Sequence, residues 1–404
     1  MSRPAVVVSR NQGQGAVWSG ACLAAVMWIM GGAGGAQAEL RFTPSLAVSE
    51  RFEDNVRFSS TNKEADFATV VSPTVAFTAR GREVDVSGSW GSQITRFMKT
   101  TNFNRVNSLG GIVLDAGTVT GRVVRGLGLK VTENYAYTQE LPEFTQFGQT
   151  QELASGGVQT GRTSTFINTF GVTAPYVLTE RAQVSGSYTN SITRFSSGST
   201  FVNSTSHALV GGGSYAVTPQ TALLSNYSYS RFSFGGGGIV ETHAVDAGFR
   251  RQFLADLLVD ATVGGTYLPS LDRLTPNFNA GLTKKFSTTD VGARFTRSVS
   301  NSGGLAAQVS TREILTGFVT HRLTRAMTAT VSGNYATTKS VGLRTVDIAS
   351  YSLVPAASYS LTRWATLTAS YTYSHQKSEG LTVSLTGSEF ARNTVTVGVT
   401  VTWP

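Results

Sequence analysis

From residue 39 to the C-terminus, apolar and polar positions alternate with a period of two, and no 3.6-residue pattern runs longer than a turn. In the last stretch Val395, Val397, Val399, Val401 and Trp403 share one face, with Thr396, Gly398, Thr400 and Thr402 on the other. Near the start, Leu40, Phe42, Leu46, Val48 and Phe52 alternate with Arg41, Thr43, Ser45, Ser49 and Arg51. Met327, Ala329, Val331 and Tyr335 oppose Thr328, Thr330, Ser332 and Asn334, and Val259, Ala261, Val263 and Tyr267 oppose Asp260, Thr262, Gly264 and Thr266. Such runs predict strands with two chemically different faces. Three runs alternate poorly: Val106 to Asp115, Gln308 to Thr320 and Arg344 to Leu353.

The polar face is unusual. In "ATLTASYTYS" (Ala365 to Ser374) it is Thr366, Thr368, Ser370, Thr372 and Ser374, with no charge. The other face carries Leu367, Ala369, Tyr371 and Tyr373. That pattern suits a strand between lipid and a water-filled lumen, with tyrosines at the upper interface and Trp364 at the opposite rim.

Short segments recur between the runs: "VLTER" at Val177, "AVTPQ" at Ala216, "QFLAD" at Gln252, "KFSTT" at Lys285, "RLTRA" at Arg322 and "SLTRW" at Ser360. Each leaves space for only a tight turn. Longer polar or glycine-rich connections lie between them, the longest being Thr138 to Thr160, which contains Phe144 and Phe147. Tight turns on one side and longer loops on the other are the sidedness of an outer-membrane barrel. Two strands per period do not make a propeller blade, and a β-sandwich array would carry charged outer faces. The expectation is an all-β fold, a transmembrane antiparallel β-barrel of about 18 strands with 16 as the second choice.

The first 38 residues stand apart. Arg3 and Arg10 precede an apolar core from Ala21 to Met30, and Ala36-Gln37-Ala38 offers small residues for cleavage. This predicts a signal peptide, 1–38, and a barrel domain, 39–404. Cys22, the one cysteine, falls in the leader, so no disulfide is expected in the rest.

Composition narrows the picture further. Only 14% of residues are charged, too few to cover a soluble domain of this length. The net charge of +9 is spread thinly, with no Lys/Arg cluster, so no nucleic-acid partner is expected. His207, His243, His321 and His375 are scattered, and no nucleophile stands in a catalytic spacing, so no enzyme activity, cofactor or metal is expected. Asp54 and Asp66 flank a loop and could hold Ca²⁺ as a bare pair.

Parity assigns nine charged residues to the inner face: Arg41, Arg51, Asp85, Lys130, Asp246, Arg250, Asp260, Lys285 and Arg294. They either pair across strands and stiffen the wall or ring a constriction. The strand Val395, Val397, Val399, Val401 and Trp403 resembles the C-terminal signal read by the outer-membrane assembly machinery, with Pro404 a departure from it.

The opening "LRFTPSLAVSERFEDNVRFS" (Leu40 to Ser59) resembles that of the β-barrel porin type 2 family, through Phe42, Pro44, Ser45, Glu50, Phe52, Asp54 and Asn55. The "LTxR"-type turns and the Trp-ended last strand extend the resemblance over most of residues 40–403. It implies a passive conduit for exopolysaccharide in the outer membrane of a Gram-negative bacterium, working with a periplasmic polysaccharide export protein. An uptake porin, general or sugar-selective, and a structural barrel with partner-binding loops are the alternatives. An inward-folded loop with lumen aromatics would favour uptake, and a clear bore would favour export.

Overall fold

The computed structural model describes residues 39–139, 163–196, 199, 201–254, 256–301, 304–342, 346–380 and 389–403. The expected leader, the C-terminal Pro404 and the loop residues Phe144 and Phe147 lie outside these residues. Among them stand 18 strands in one antiparallel sheet. The first six are β1 Glu39–Glu53, β2 Asp66–Arg80, β3 Asp85–Phe97, β4 Arg105–Asp115, β5 Lys130–Thr138 and β6 Thr165–Val177. Then come β7 Ala182–Phe195, β8 Ser204–Thr218, β9 Thr221–Phe234, β10 Ile239–Leu254, β11 Leu257–Leu268 and β12 Arg273–Lys285. The last six are β13 Thr289–Asn301, β14 Val309–Arg322, β15 Met327–Ser340, β16 Asp347–Ser360, β17 Ala365–Glu379 and β18 Glu389–Thr402.

Each strand pairs with its neighbours in sequence, and β18 returns to β1 from Ser45↔Thr402 to Glu53↔Thr394. The sheet is therefore a closed ring with no free edge. Closure is what a lipid-facing backbone requires, because no water is present there to bond an unpaired N–H or C=O.

Cross-strand partners share a face, so the register sorts every strand into an inner and an outer set. On β18 the outer set is Val395, Val397, Val399 and Val401, and on β17 it includes Leu367, Ala369, Tyr371 and Tyr373. Outward side chains are exposed and apolar all round the ring: Leu209, Val245, Val263, Leu282, Leu315, Val331, Leu353 and Val397 among them. Continuous apolar surface of this extent marks a lipid interface. Outward Tyr267, Tyr335, Tyr351, Tyr371 and Tyr373 lie toward the long loops, and Tyr215, Tyr359, Trp364 and Trp403 toward the tight turns. Trp364 and Tyr373 are nine positions apart. At about 3.3 Å per residue and a tilt of about 40°, they stand about 23 Å apart along the membrane normal, close to the apolar height of such barrels.

The six recurring segments are the tight turns. Three are built alike. Leu178 N–H and Thr179 N–H donate to Ala182 O, at 2.9 and 3.1 Å, and Thr179 Oγ1 accepts from Arg181 N–H and Ala182 N–H. Leu323-Thr324 and Leu361-Thr362 repeat this on Met327 and Ala365. The Leu-Thr pair recurs because the threonine hydroxyl satisfies amides that the strand ladder leaves open. Thr362→Ala is expected to lower stability by about 1 kcal/mol. The triple change at Thr179, Thr324 and Thr362 should lower it by about 3 kcal/mol, since distant sites add. Urea midpoints of the refolded barrel check both values.

One connection breaks the sidedness. Between β4 and β5, on the tight-turn side, lies a short helix, α1 Gly117–Val123, which the strand-only expectation did not include. Thr120 Oγ1 donates to Leu127 O at 2.8 Å, and Arg122 pairs with Glu83 at 2.6 Å, tying α1 to the β2–β3 turn.

Candidate functional site

The site is the inner wall and the space it encloses. Its strand faces are mostly Ser, Thr, Asn and Gly. On the side formed by β15 to β18 and β1 to β5 they bound a cavity of about 470 Å³. Thr328, Thr330, Ser358, Thr368 and Thr400 line it toward the tight turns, and Gln93, Asn107, Arg51, Arg105 and Arg392 toward the loops.

The register places the nine parity-assigned charges on the inner face, in three separate groups. At the tight-turn rim, Arg80, Asp85, Asp115 and Lys130 form one cross-strand row, with Arg41 and Lys285 also at that rim. Halfway along the wall are Asp246, Arg250, Asp260 and Arg294. Arg294 donates to both oxygens of Asp260 (3.0 and 3.1 Å) and to Asn279 Oδ1 (2.7 Å). Asn277 Nδ2 reaches Asp246 at 3.4 Å and Thr266 Oγ1 at 2.8 Å. The Arg294–Asp260 and Asp246–Asn277–Thr266 contacts tie four strands together, which fits a wall brace. Arg51 is alone of the nine in the upper cavity.

There it meets residues that the sequence pattern did not single out. Glu53 is fully buried and lies 3.5 Å from Arg51 and 3.8 Å from Arg392. Arg392 sits under the Phe58 ring at 4.8 Å, and Arg105 over Phe97 at 5.4 Å. Arg105 opens a poorly alternating run, and Arg392 follows a long connection, so parity did not reach either. A basic residue flanking a strand on its inward parity was the available signal.

Several loops fold inward over the rest of the mouth. Val202 N–H of the β7–β8 loop donates to Gly304 O of the β13–β14 loop at 2.7 Å, although the two loops are six strands apart. Inward-facing Phe232, Phe234 and Leu268 pack with Val309 and Val341, and Val202 and Val240 join them. Inward Ile348 packs with Leu305, Val346 and Phe201. This bears on the poorly alternating runs: Ile348 buries against loop residues, so β16 carries an apolar residue where other strands carry hydroxyls, and β14 alternates poorly because Ile314 and Phe318 stand on its inward parity.

Asp54 and Asp66 are not a Ca²⁺ pair. Asp54 accepts from Asn393 N–H (2.8 Å) and Nδ2 (2.6 Å). Asp66 accepts from the N–H groups of Phe67, Lys99 and Thr100 and from the Thr100 hydroxyl. Each carboxylate is spent on joining strand ends. The histidines lie on the outer face: His207 bonds Tyr188 at 2.9 Å, His243 Tyr227 at 2.9 Å, His321 Thr289 at 2.8 Å and His375 Glu389 at 2.7 Å. Among the described residues no group of three or more His, Cys, Asp or Glu is placed to hold a metal.

Residues 274–403 match the family model described as "Putative beta-barrel porin 2". The chain is an outer-membrane β-barrel of a Gram-negative bacterium. The match covers the last seven strands of the barrel; the Leu40 to Ser59 opening lies outside it. The closed barrel and the family model matched by its last seven strands point to a channel rather than an enzyme. No curated protein matches the sequence. Solved structures similar to the barrel include Acinetobacter baumannii OccAB3, at 10% identity over 90% of this chain and 100% of that one, with a TM-score of 0.47. Pseudomonas aeruginosa OccK2 (OpdF) in complex with glucuronate is similar at 11% identity over 91% and 99%, with a TM-score of 0.48. The loop L8 deletion mutant of Vibrio cholerae OmpT is similar at 12% identity over 91% and 99%, with a TM-score of 0.38. At this level of similarity none of them bears on what the barrel carries.

Proposed function

We propose that the barrel is a passive channel for hydroxyl-rich, saccharide-type solutes across the outer membrane. The observation that carries this is the inner wall. Threonine, serine and asparagine offer hydrogen bonds on every side, and at mid-height Arg294 and Asp260 bind each other, so a sugar meets many weak partners and no deep trap. Spread-out weak contacts keep transit fast, since tight binding would slow release.

The inward-folded loops favour small saccharides over a polymer. Polymer export, which the family resemblance implies, needs the Val202–Gly304 bridge and the Phe232–Phe234 packing to open. That reading therefore carries a further requirement, namely a periplasmic export partner that displaces the loops. Delivery by the assembly machinery through the Val395 to Trp403 strand, and cleavage after Ala38, belong to the same proposal.

Liposome swelling tests it. Liposomes holding the refolded barrel are expected to admit mono- and disaccharides and to slow sharply for larger oligosaccharides. Equal exclusion of glucose and of a large oligosaccharide would refute the reading.

A further inference from the structure

The upper cavity differs from the rest of the lumen. Three arginines, Arg51, Arg105 and Arg392, line it, and no carboxylate does among the described residues. Arg51 and Arg392 share the buried Glu53 at 3.5 and 3.8 Å, whereas at mid-height Arg294 has two acceptor side chains to itself within 3.1 Å. Residues lining the cavity also carry buried polar atoms without a hydrogen-bond partner among the described residues: Arg51 Nε, Ser374 Oγ and Thr394 Oγ1. Buried polar groups are normally bonded, and such atoms gathered at one place call for an occupant.

The placement of these groups is ordered. Thr394 is the cross-strand partner of Glu53, and Ser374 that of Arg392, so Arg51, Thr394, Arg392 and Ser374 adjoin on β1, β18 and β17. Glu53 contacts both Arg51 and Arg392 and holds the two guanidiniums near each other. The aromatic rings of Phe58 and Phe97 fix Arg392 and Arg105 from behind. Guanidinium forks match the planar, two-oxygen geometry of a carboxylate, while the neighbouring hydroxyls match the hydroxyls of a sugar.

We propose that this cavity is a binding subsite for hydroxylated monocarboxylates, that is, sugar acids. Arg51 and Arg105 take the carboxylate, and Ser374 and Thr394 take ring or chain hydroxyls. The proposal rests on the saccharide-channel reading and gives it a preference: acidic saccharides dwell at the loop-side mouth before passing the neutral wall below. The residues that carry it lie in the wall rather than in the loops, so the subsite is present whether or not the inward loops open.

Calorimetry on the detergent-refolded full barrel tests the subsite without requiring conduction. Gluconate, acetate, glucose and inorganic phosphate are titrated in turn. Gluconate is expected to bind, acetate more weakly for want of hydroxyls, and glucose not measurably. Arg51→Gln should weaken gluconate about tenfold or more, as loss of one charge-assisted hydrogen bond implies. Ser374→Ala should weaken gluconate and leave acetate unchanged. Arg294→Gln, which removes a lumen cation from another level, should leave binding unchanged. Heat-modifiable gel mobility identifies any variant that has not folded. Glucose binding as well as gluconate, phosphate binding as tightly as gluconate, or Arg294→Gln weakening binding as much as Arg51→Gln would each overturn the subsite. Gluconate binding by a barrel that admits no sugar in the swelling assay would keep the subsite and sink the channel.

Discussion

Val399→Arg is expected to cost the barrel about 2–4 kcal/mol and to cut its yield in the membrane, whereas Thr400→Arg, one residue away, is expected to be nearly neutral. Val399 faces outward between Val48 of β1 and Leu367 of β17. Its height is midway between Trp403 at one rim and Tyr371, across from Val395, toward the other. A guanidinium there has only hydrocarbon around it. Thr400 faces inward between Ala47 and Thr366, beside the water-filled cavity, where a cation stays hydrated. Because the side-chain period is two, the pair tests the face assignment of the closing strand directly. Folded fraction by gel mobility and urea midpoints in lipid vesicles are the readouts. A Thr400→Arg barrel less stable than Val399→Arg would mean that the faces are reversed.

The second large effect concerns the mouth. Phe232→Ala with Phe234→Ala removes two buried rings from the packing that holds the β7–β8, β13–β14 and β15–β16 loops inward. Each truncation costs about 3–5 kcal/mol when the surroundings cannot collapse. The loss falls on loop docking, because the wall itself is held by its backbone ladder. The expected result is an undiminished β-sheet signal in circular dichroism, faster proteolysis of the loops and a clearly larger single-channel conductance. Unchanged conductance would show that these loops do not narrow the path.

What the sequence conveyed follows from which forces act locally. Lipid on one side and water on the other impose a strict period of two, so the outer faces of β17 and β18 are legible residue by residue, as are the tight turns built on Thr179, Thr324 and Thr362. The count of about 18 strands follows from the alternating runs themselves, and the structure has 18. Alternation fails where a third environment intrudes. Ile348 looks misplaced along its strand because it buries against Leu305 and Phe201, which arrive from the β13–β14 and β7–β8 loops. The same applies to the upper cavity. Arg51 could be assigned from its own run, but its neighbours Arg105 and Arg392 come from 54 and 341 positions further on; strand pairing across β2 and β3 brings the first to the cavity and ring closure through β18 the second. Asp54 and Asp66 show the converse: side chains that look like ligands in a line of sequence are consumed by amides of other strands. α1 was hidden because seven residues are too few to establish a helical period.

Whether the barrel conducts at all is the most direct test of the account. Refolded protein in a planar bilayer is expected to give stable, weakly ion-selective conductance steps, reduced while a saccharide occupies the lumen. A correctly folded barrel, verified by gel mobility, that carries no current would contradict the channel account and leave a barrel whose work is done on its surfaces.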